Sequence, residues 1–188
     1  MKCSAFIATS ADGFIATLDG GVEWLDTAGN PESGDRPSMG DGGFSEYLSS
    51  VDCMIMGRRC MEKIASFNLP EDQWPYGDLP IHVLSRSLKE APANLRARIE
   101  LYDGALQDLV AKLESAGHRN VYVDGGATIT SFLAEGLLDE ICITQVPVLL
   151  GEGIPLFGKF PASLRLAHAE AVAYANDFVQ LRYRVIYS

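Results

Sequence analysis

The feature that most restricts what this chain can fold into is a unit that recurs along it. A short, charge-poor run of β-forming residues ends at glycine, and the start of a helix follows at once. Cys53-Met54-Ile55-Met56 stops at Gly57 and runs straight into a helical pattern over 58–66. Val121-Tyr122-Val123 stops at Asp124-Gly125-Gly126 and opens a helix over 127–134, with Ile129, Phe132 and Leu133 on one face. Further buried strands are predicted over 2–9, 81–85, 99–102 and 140–148, and further helices over 43–50 and 105–116. The tail differs: 164–173 and 178–187 read as two strands joined about Asn176-Asp177. Alternating strands and helices followed by a strand-only tail predict an α/β fold. Its core is a mixed, mostly parallel sheet of about eight strands with an antiparallel C-terminal hairpin, flanked by about four helices. No linker or internal repeat interrupts the pattern, so residues 1–188 are expected to form a single domain.

Composition narrows the partners. The 188 residues are 47% apolar and 21% charged, enough to bury a core without disulfides or structural metal. Fifteen Lys and Arg against 25 Asp and Glu give a net charge of −10, which argues against duplex nucleic acid or an anionic membrane as the main partner. Any bound anion must therefore be held locally. The longest uncharged stretch, 141–151, is about half a membrane span and contains Pro147. The N-terminal run meets Asp12-Gly13 before a signal-peptide core forms. Cys3, Cys53, Cys60 and Cys142 form no C-x-x-C pair and fit buried, reduced thiols, so the expected location is cytoplasmic.

Several familiar chemistries lack their residues. His82, His118 and His168 lie far apart with no H-E-x-x-H, so no metal site is expected, and neither a G-x-S-x-G elbow nor a phosphate-binding P-loop occurs. His82, in mid-strand, reads as a packed histidine.

Three strand ends do carry anion-binding residues. Arg58 and Arg59 sit in the first turn of a helix, where each is unfavourable by roughly 0.3–1 kcal/mol against the helix dipole unless an anion is present. Free backbone N–H groups, Gly57 and two guanidiniums make a nucleotide-phosphate site; the alternative is that both arginines face solvent and pair with Glu62. Gly125-Gly126 before Ala127 and Thr128 lets a pyrophosphate approach helix N–H groups, or is an ordinary strand-to-helix connection. Ser85 and Arg86 end a third strand. Open α/β sheets bind ligands beyond the carboxyl ends of their strands, where all three signals fall. Residues 17–43 read as a long glycine-rich loop, and 151–158 as a loop returning the chain to the hairpin.

Taken in order, Ala8-Thr9-Ser10-Ala11-Asp12-Gly13-Phe14-Ile15-Ala16, Trp24, Met56-Gly57-Arg58-Arg59-Cys60, Leu84-Ser85-Arg86, Val123-Asp124-Gly125-Gly126-Ala127-Thr128 and Thr144 resemble the dihydrofolate reductase superfamily. The likeness runs from the first strand to the final hairpin. More closely, Ser10 to Ala16 together with Pro147 to Phe157 resemble the branch related to the C-terminal reductase domain of the riboflavin-biosynthesis deaminase-reductase. By position, the resemblance implies that Gly57, Arg58, Arg59 and Cys60 hold the cofactor's ribose phosphate and pyrophosphate, with Cys60 where a hydroxyl residue is usual. Ser85 and Arg86 match the adenosine-side loop. Gly125, Gly126, Ala127 and Thr128 match the pyrophosphate turn, where the family commonly holds a cis Gly-Gly peptide. Ala8 and Ile15 match the apolar wall beside the nicotinamide, and Trp24 the tryptophan of a mobile loop, which makes 17–25 a candidate lid. Dihydrofolate reductases proper place one buried carboxylate shortly after that tryptophan, on the helix preceding the Met-Gly-Arg motif. A glycine-rich insertion over 27–40 breaks the register, leaving Asp41 and Glu46 as alternatives, while Asp12 reads as a turn former.

The function this implies is a reductase that transfers hydride from NADPH to a C=N or C=O carbon of a small pterin- or pyrimidine-like heterocycle. Asp41 or Glu46 would donate the proton and Trp24 would cover the site. One alternative is a riboflavin-pathway reductase of a phosphoribosylamino pyrimidine, with a second anion site from loop 26–43 and Arg36. Another is a non-catalytic NADP-binding module. A homodimer is expected, with the hairpin residues Phe178, Leu181, Tyr183, Val185 and Tyr187 offering an edge surface.

Overall fold

Successive strand residues point to opposite faces of a sheet, and the apolar runs sort accordingly. The computed structural model describes residues 1–30, 42–161 and 163–187. In β3 (Cys53–Gly57), Cys53 and Ile55 enter one core while Met54 and Met56 enter another. In β6 (Asn120–Asp124), Val121 and Val123 part from Tyr122 in the same way, as do Cys3 and Ala5 from Phe6 in β1 (Lys2–Ser10). Helices α4 (Leu106–Ser115) and α5 (Gly126–Ala134) close the first face with Leu109, Leu113, Ile129 and Phe132. Helices α2 (Phe44–Ser50) and α3 (Arg58–Phe67) close the second with Phe44 and Met61. Fully burying each such side chain is worth about 1.5–3 kcal/mol, which is why both faces need cover.

The main sheet also contains β4 (Ile81–Leu84), β5 (Ile99–Tyr102), β7 (Glu140–Val146), β9 (Arg165–Ala173) and β10 (Val179–Ile186). Its order is β5-β4-β3-β6-β1-β7-β10-β9. Every pairing from β5 through β7 is parallel, and β10 runs antiparallel to both β7 and β9. This is the expected mixed sheet with an antiparallel C-terminal hairpin, in a dihydrofolate-reductase-like fold. The carboxyl ends of β4, β3, β6, β1 and β7 therefore share one edge. The hairpin turn returns to it, since Val179 pairs with Gln145 near the end of β7.

Two pieces of local structure depart from the sequence reading. The stretch read as a returning loop contributes β8 (Ile154–Pro155), which pairs with β2 (Phe14–Ala16) as a separate two-stranded sheet. Strands of two or three residues have no periodicity to read, and a side chain fixes their meeting. Asp12 accepts the N–H of Leu150 at 3.2 Å and of Gly151 at 2.7 Å, while Ser10 Oγ donates to Asp12 at 2.6 Å and accepts the Phe14 N–H at 2.9 Å. Asp12 is thus a turn former that also pins the loop after β7. The segment read as one long loop contains α1 (Trp24–Thr27), which makes five α-helices among the described residues beside the about four expected. Among the described residues no helix is long and apolar enough to cross a membrane.

Candidate active site

A cavity of about 1600 Å³ runs along the carboxyl edge of the sheet. Single small-ligand pockets span roughly 300–1,000 Å³, so this one has room for two ligands. At a strand spacing of ~4.8 Å, the five steps from β4 to β10 cover about 24 Å. The strand order therefore sets which chemistry lies at each end.

At one end, α3 and α5 point their N-termini at the cavity, and neither has a side-chain cap. Their first N–H groups are left for a ligand. Arg58 and Arg59 line this end and are exposed. The alternative raised for them holds for Arg58, whose Nε pairs with Glu62 at 2.9 Å and whose Nη1 donates to Ser87 Oγ at 2.8 Å. Arg59 has no ion pair among the described residues, which leaves its guanidinium for an anion. Close approach explains the glycines. Gly125 has φ +93°, and a Cβ there would run into the Cys60 sulfur. A Cβ on Gly126 would lie 2.7 Å from the Leu156 carbonyl oxygen and 3.0 Å from Ile15 Cδ1. The Gly125–Gly126 peptide is trans, where the resemblance implied cis; the positive φ of Gly125 turns the strand into the helix without it.

Beside this end lies the wall formed by Ala8 and Ile15. Of the residues implied in cofactor binding, all but Ser85 and Arg86 line the cavity. Ser85 is buried, its Oγ accepting the Leu88 N–H at 3.0 Å, and Arg86 is exposed outside the lining. The β4 loop approaches the site through Leu84 and through Ser87 on Arg58 instead.

In the middle stands Asp124, the last residue of β6. Burial raises its carboxyl above the ordinary carboxylate range. Hydrogen bonds from the Tyr122 hydroxyl, the Gly125 N–H and the Cys60 thiol oppose that shift without cancelling it. Tyr122 Oη lies 3.3 Å from Asp124 Oδ1 and 3.0 Å from the Phe6 carbonyl oxygen, its one hydrogen shared between the two acceptors, which ties β6 to β1.

Among the described residues, the far end is lined by neutral groups. Gly42, Phe44, Thr144, Tyr174, Asn176 and Phe178 line it. The ring of Phe44 packs 5.6 Å from Phe6, which in turn stacks on Tyr47 at 4.9 Å. The Asn30 N–H donates to the Asn176 carbonyl at 3.2 Å, so the segment after α1 docks on the hairpin turn.

Of the two expected acid residues, only Glu46 falls among the described residues. Glu46 is exposed on α2 and outside the lining, because that helix spends its inner face on Phe44, Tyr47 and Leu48. Asp41 and Arg36 lie outside the described residues. Trp24 is buried and its indole N–H has no partner among the described residues, while its neighbours Val22 and Leu25 line the cavity in its stead. Residues 17–21 form a tight turn in which Thr17 Oγ1 accepts the Gly21 N–H at 2.8 Å. A lining carboxyl that the sequence reading did not single out is Asp124, which looked like a turn residue before Gly-Gly.

One further cluster of His, Cys and Asp lies away from the cavity. Asp52 accepts the N–H of Arg119 at 2.7 Å and of Asn120 at 3.1 Å and meets His118 Nδ1 at 3.2 Å, with Cys53 nearby. That group sits at the opposite, amino end of β3 and β6 and fastens the two strands. His82 is buried, as expected, and burial lowers its pKa.

A family model, the RibD C-terminal domain, matches residues 2–180. The chain belongs to the RibD C-terminal domain family. It is 31% identical over 184 residues to the uncharacterized protein YwjB of Bacillus subtilis (strain 168), covering 97% of each chain. The crystal structure of a putative riboflavin biosynthesis protein from Shewanella sp. PV-4 superposes with a TM-score of 0.87 at 36% identity, covering 100% of both chains. A Thermotoga maritima diaminohydroxyphosphoribosylaminopyrimidine deaminase/5-amino-6-(5-phosphoribosylamino)uracil reductase shares the fold, with a TM-score of 0.67 at 13% identity. This chain covers 56% of that one. Within the RibD C-terminal domain fold, the cavity described above occupies the edge where sequence reading placed its three anion signals.

Proposed function

We propose that this protein is an NADPH-dependent reductase that delivers a hydride to a C=N or C=O carbon of a pyrimidine- or pterin-like heterocycle. The observation that carries the reading is the polarity of one continuous cavity. Among the described residues, uncapped helix starts and an arginine without an ion pair lie at one end, a raised-pKa carboxyl in the middle, and neutral aromatic and polar groups at the other. The residues fit the cofactor: Gly125 and Gly126 keep side chains out of the approach, Arg59 and the N–H groups of α3 and α5 receive phosphates, and Ala8 with Ile15 makes an apolar wall. When bound, NADPH supplies the hydride. The chain's own part is to hold the substrate against that wall, to exclude water with Val22, Leu25 and Phe178, and to supply a proton to the heteroatom beside the reduced carbon. Asp124 is the group we assign to the proton, because burial favours its protonated form and the Tyr122 hydroxyl fixes its orientation. The two ends of the reduced double bond thus receive one hydride and one proton.

The cytoplasmic location and the homodimer belong to the same reading. The four free cysteines support the first. The hairpin residues expected to offer an edge do not form one, because β10 lies between β7 and β9, Val185 is buried and Phe178 lines the cavity; Leu166 and Val172, exposed on the outermost strand β9, support the second instead. Reduction of a phosphoribosylamino pyrimidine is the second reading, favoured by the chemistry named for the Thermotoga protein.

Single-turnover loss of NADPH absorbance across a panel of pyrimidines, pterins and imines tests the proposal. Turnover of at least one class, slowed about 100-fold or more by Asp124→Asn through the general-acid contribution, is the expected result. Tight NADPH binding with no consumption across the panel would instead leave a binding module.

A further inference from the structure

At the neutral end of the cavity, three lining groups are tied to one side chain that does not itself line it. Gln180, on β10, is 9% exposed. Its Nε2 lies 2.7 Å from the Gly42 carbonyl oxygen and 3.1 Å from Thr144 Oγ1, and the Tyr174 hydroxyl lies 3.4 Å from its Oε1. The neighbours settle which way the amide faces. A carbonyl oxygen only accepts, so the group 2.7 Å from Gly42 must be the NH2.

That NH2 group has two hydrogens, one for Gly42 and one for Thr144. Thr144 Oγ1 is therefore an acceptor toward Gln180, and its own hydrogen must be donated elsewhere. Thr144 is 8% exposed, lines the cavity, and has no hydrogen-bond acceptor among the described residues. The remaining direction is the ligand.

We infer that Gln180 fixes the Thr144 hydroxyl as a donor into the substrate half of the cavity, and that the heterocycle bound there presents a ring carbonyl oxygen to it. This rests on the reductase reading and deepens it by naming the polarity of one substrate edge. Thr144 touches the substrate, and Gln180 is a positioning residue that acts through it. A ligand that offered an N–H at this point would leave two donors facing each other in a desolvated site. The constraint is long-range: residues from β7, β10 and the end of the glycine-rich loop meet only in the folded chain.

The test compares two probes, pyrimidin-4-one and 4-aminopyrimidine, bound to the NADP+-saturated protein and followed by protein NMR titration. The wild-type protein is expected to favour the pyrimidinone about tenfold, the worth of one neutral hydrogen bond. Thr144→Val should bring the ratio to within about twofold, and Thr144→Ser, which keeps the hydroxyl, should preserve it. Gln180→Glu should also lose the preference. Whether ionised or protonated, its carboxyl cannot donate to both Gly42 and Thr144, so it takes the Thr144 hydrogen for itself. A purely structural role for Gln180 would weaken both probes alike and leave their ratio unchanged, which would overturn the inference. So would a wild-type protein that binds both probes equally or binds neither. Protein that fails to take up NADP+ would count against the reductase reading instead, and the ratio is then read on the free protein.

Discussion

Replacing Arg59 with alanine should weaken NADPH binding while leaving NADH binding nearly intact, and replacing Arg58 should do much less. The two residues are adjacent and both exposed, but their guanidiniums differ in engagement. Arg58 already serves Glu62 at 2.9 Å and Ser87 at 2.8 Å, whereas Arg59 has no ion pair among the described residues. Hydrogen bonds to charged groups contribute about 1.5–3 kcal/mol, and solvent screening at an exposed site pulls toward the lower end, so the expected loss is about tenfold in NADPH affinity. Stability should move the other way. Arg59 sits in the first turn of α3, where a cation opposes the helix dipole by roughly 0.3–1 kcal/mol, so the cofactor-free Arg59→Ala protein should unfold at slightly higher urea than wild type. Fluorescence titrations with NADPH and NADH on wild type, Arg58→Ala and Arg59→Ala, paired with urea melts, measure both effects. An unchanged NADPH-to-NADH affinity ratio in Arg59→Ala, or an equal loss in Arg58→Ala, would refute the assignment of the free guanidinium to the 2′-phosphate.

Gly125→Ala should destabilise the fold by two separable costs, the positive φ and the contact with the Cys60 sulfur. Adding Cys60→Ala should relieve only the second and leave about 1–3 kcal/mol of backbone strain in the urea midpoint; full recovery in the double variant would show the φ requirement to be absent. Asp124 predicts a pH effect on stability. Its folded pKa is raised above the ordinary 3.8, so its contribution is fully present below that value and is lost as pH rises through the folded pKa. Asp124→Asn, neutral throughout, should gain on wild type with increasing pH across that window; parallel urea profiles from acid to neutral pH would contradict it.

The fold was legible where the apolar pattern had length. Runs such as Met54 to Met56 and Val121 to Val123 name buried strands because nothing polar interrupts them, and Gly57 and Gly125 mark where each strand must turn. The opposite faces taken by Met54 and Ile55 follow from the two-residue period alone. The pairing of β2 with β8 was not legible, because it depends on Asp12 reaching Leu150 and Gly151, 138 and 139 residues away. The Gln180 contacts with Gly42 and Thr144 were hidden for the same reason, at separations of 138 and 36 residues. The anion end of the site was legible because each piece is local: a glycine, a helix start and an arginine within a few residues.

The carboxyls show why local reading fails at the chemistry itself. Asp12 and Asp124 have the same neighbour, a glycine closing an apolar strand, and both read as turn formers. Asp12 lies beyond the end of β1 on the exposed turn, where the Ser10 hydroxyl and the N–H groups of Gly151 and Leu150 stabilise its ionised form and lower its pKa. Asp124 ends β6 inside the sheet, between β3 and β1, where burial outweighs the hydrogen bonds from Tyr122, Gly125 and Cys60 and raises it. The two dipeptides differ only in how far past the last sheet pairing each aspartate falls, and in whether hydrogen-bond donors or desolvation dominates there. A two-residue difference in where a strand ends therefore separates a structural clamp from a proton-holding group, and strand ends are the least determined feature of an unfolded sequence.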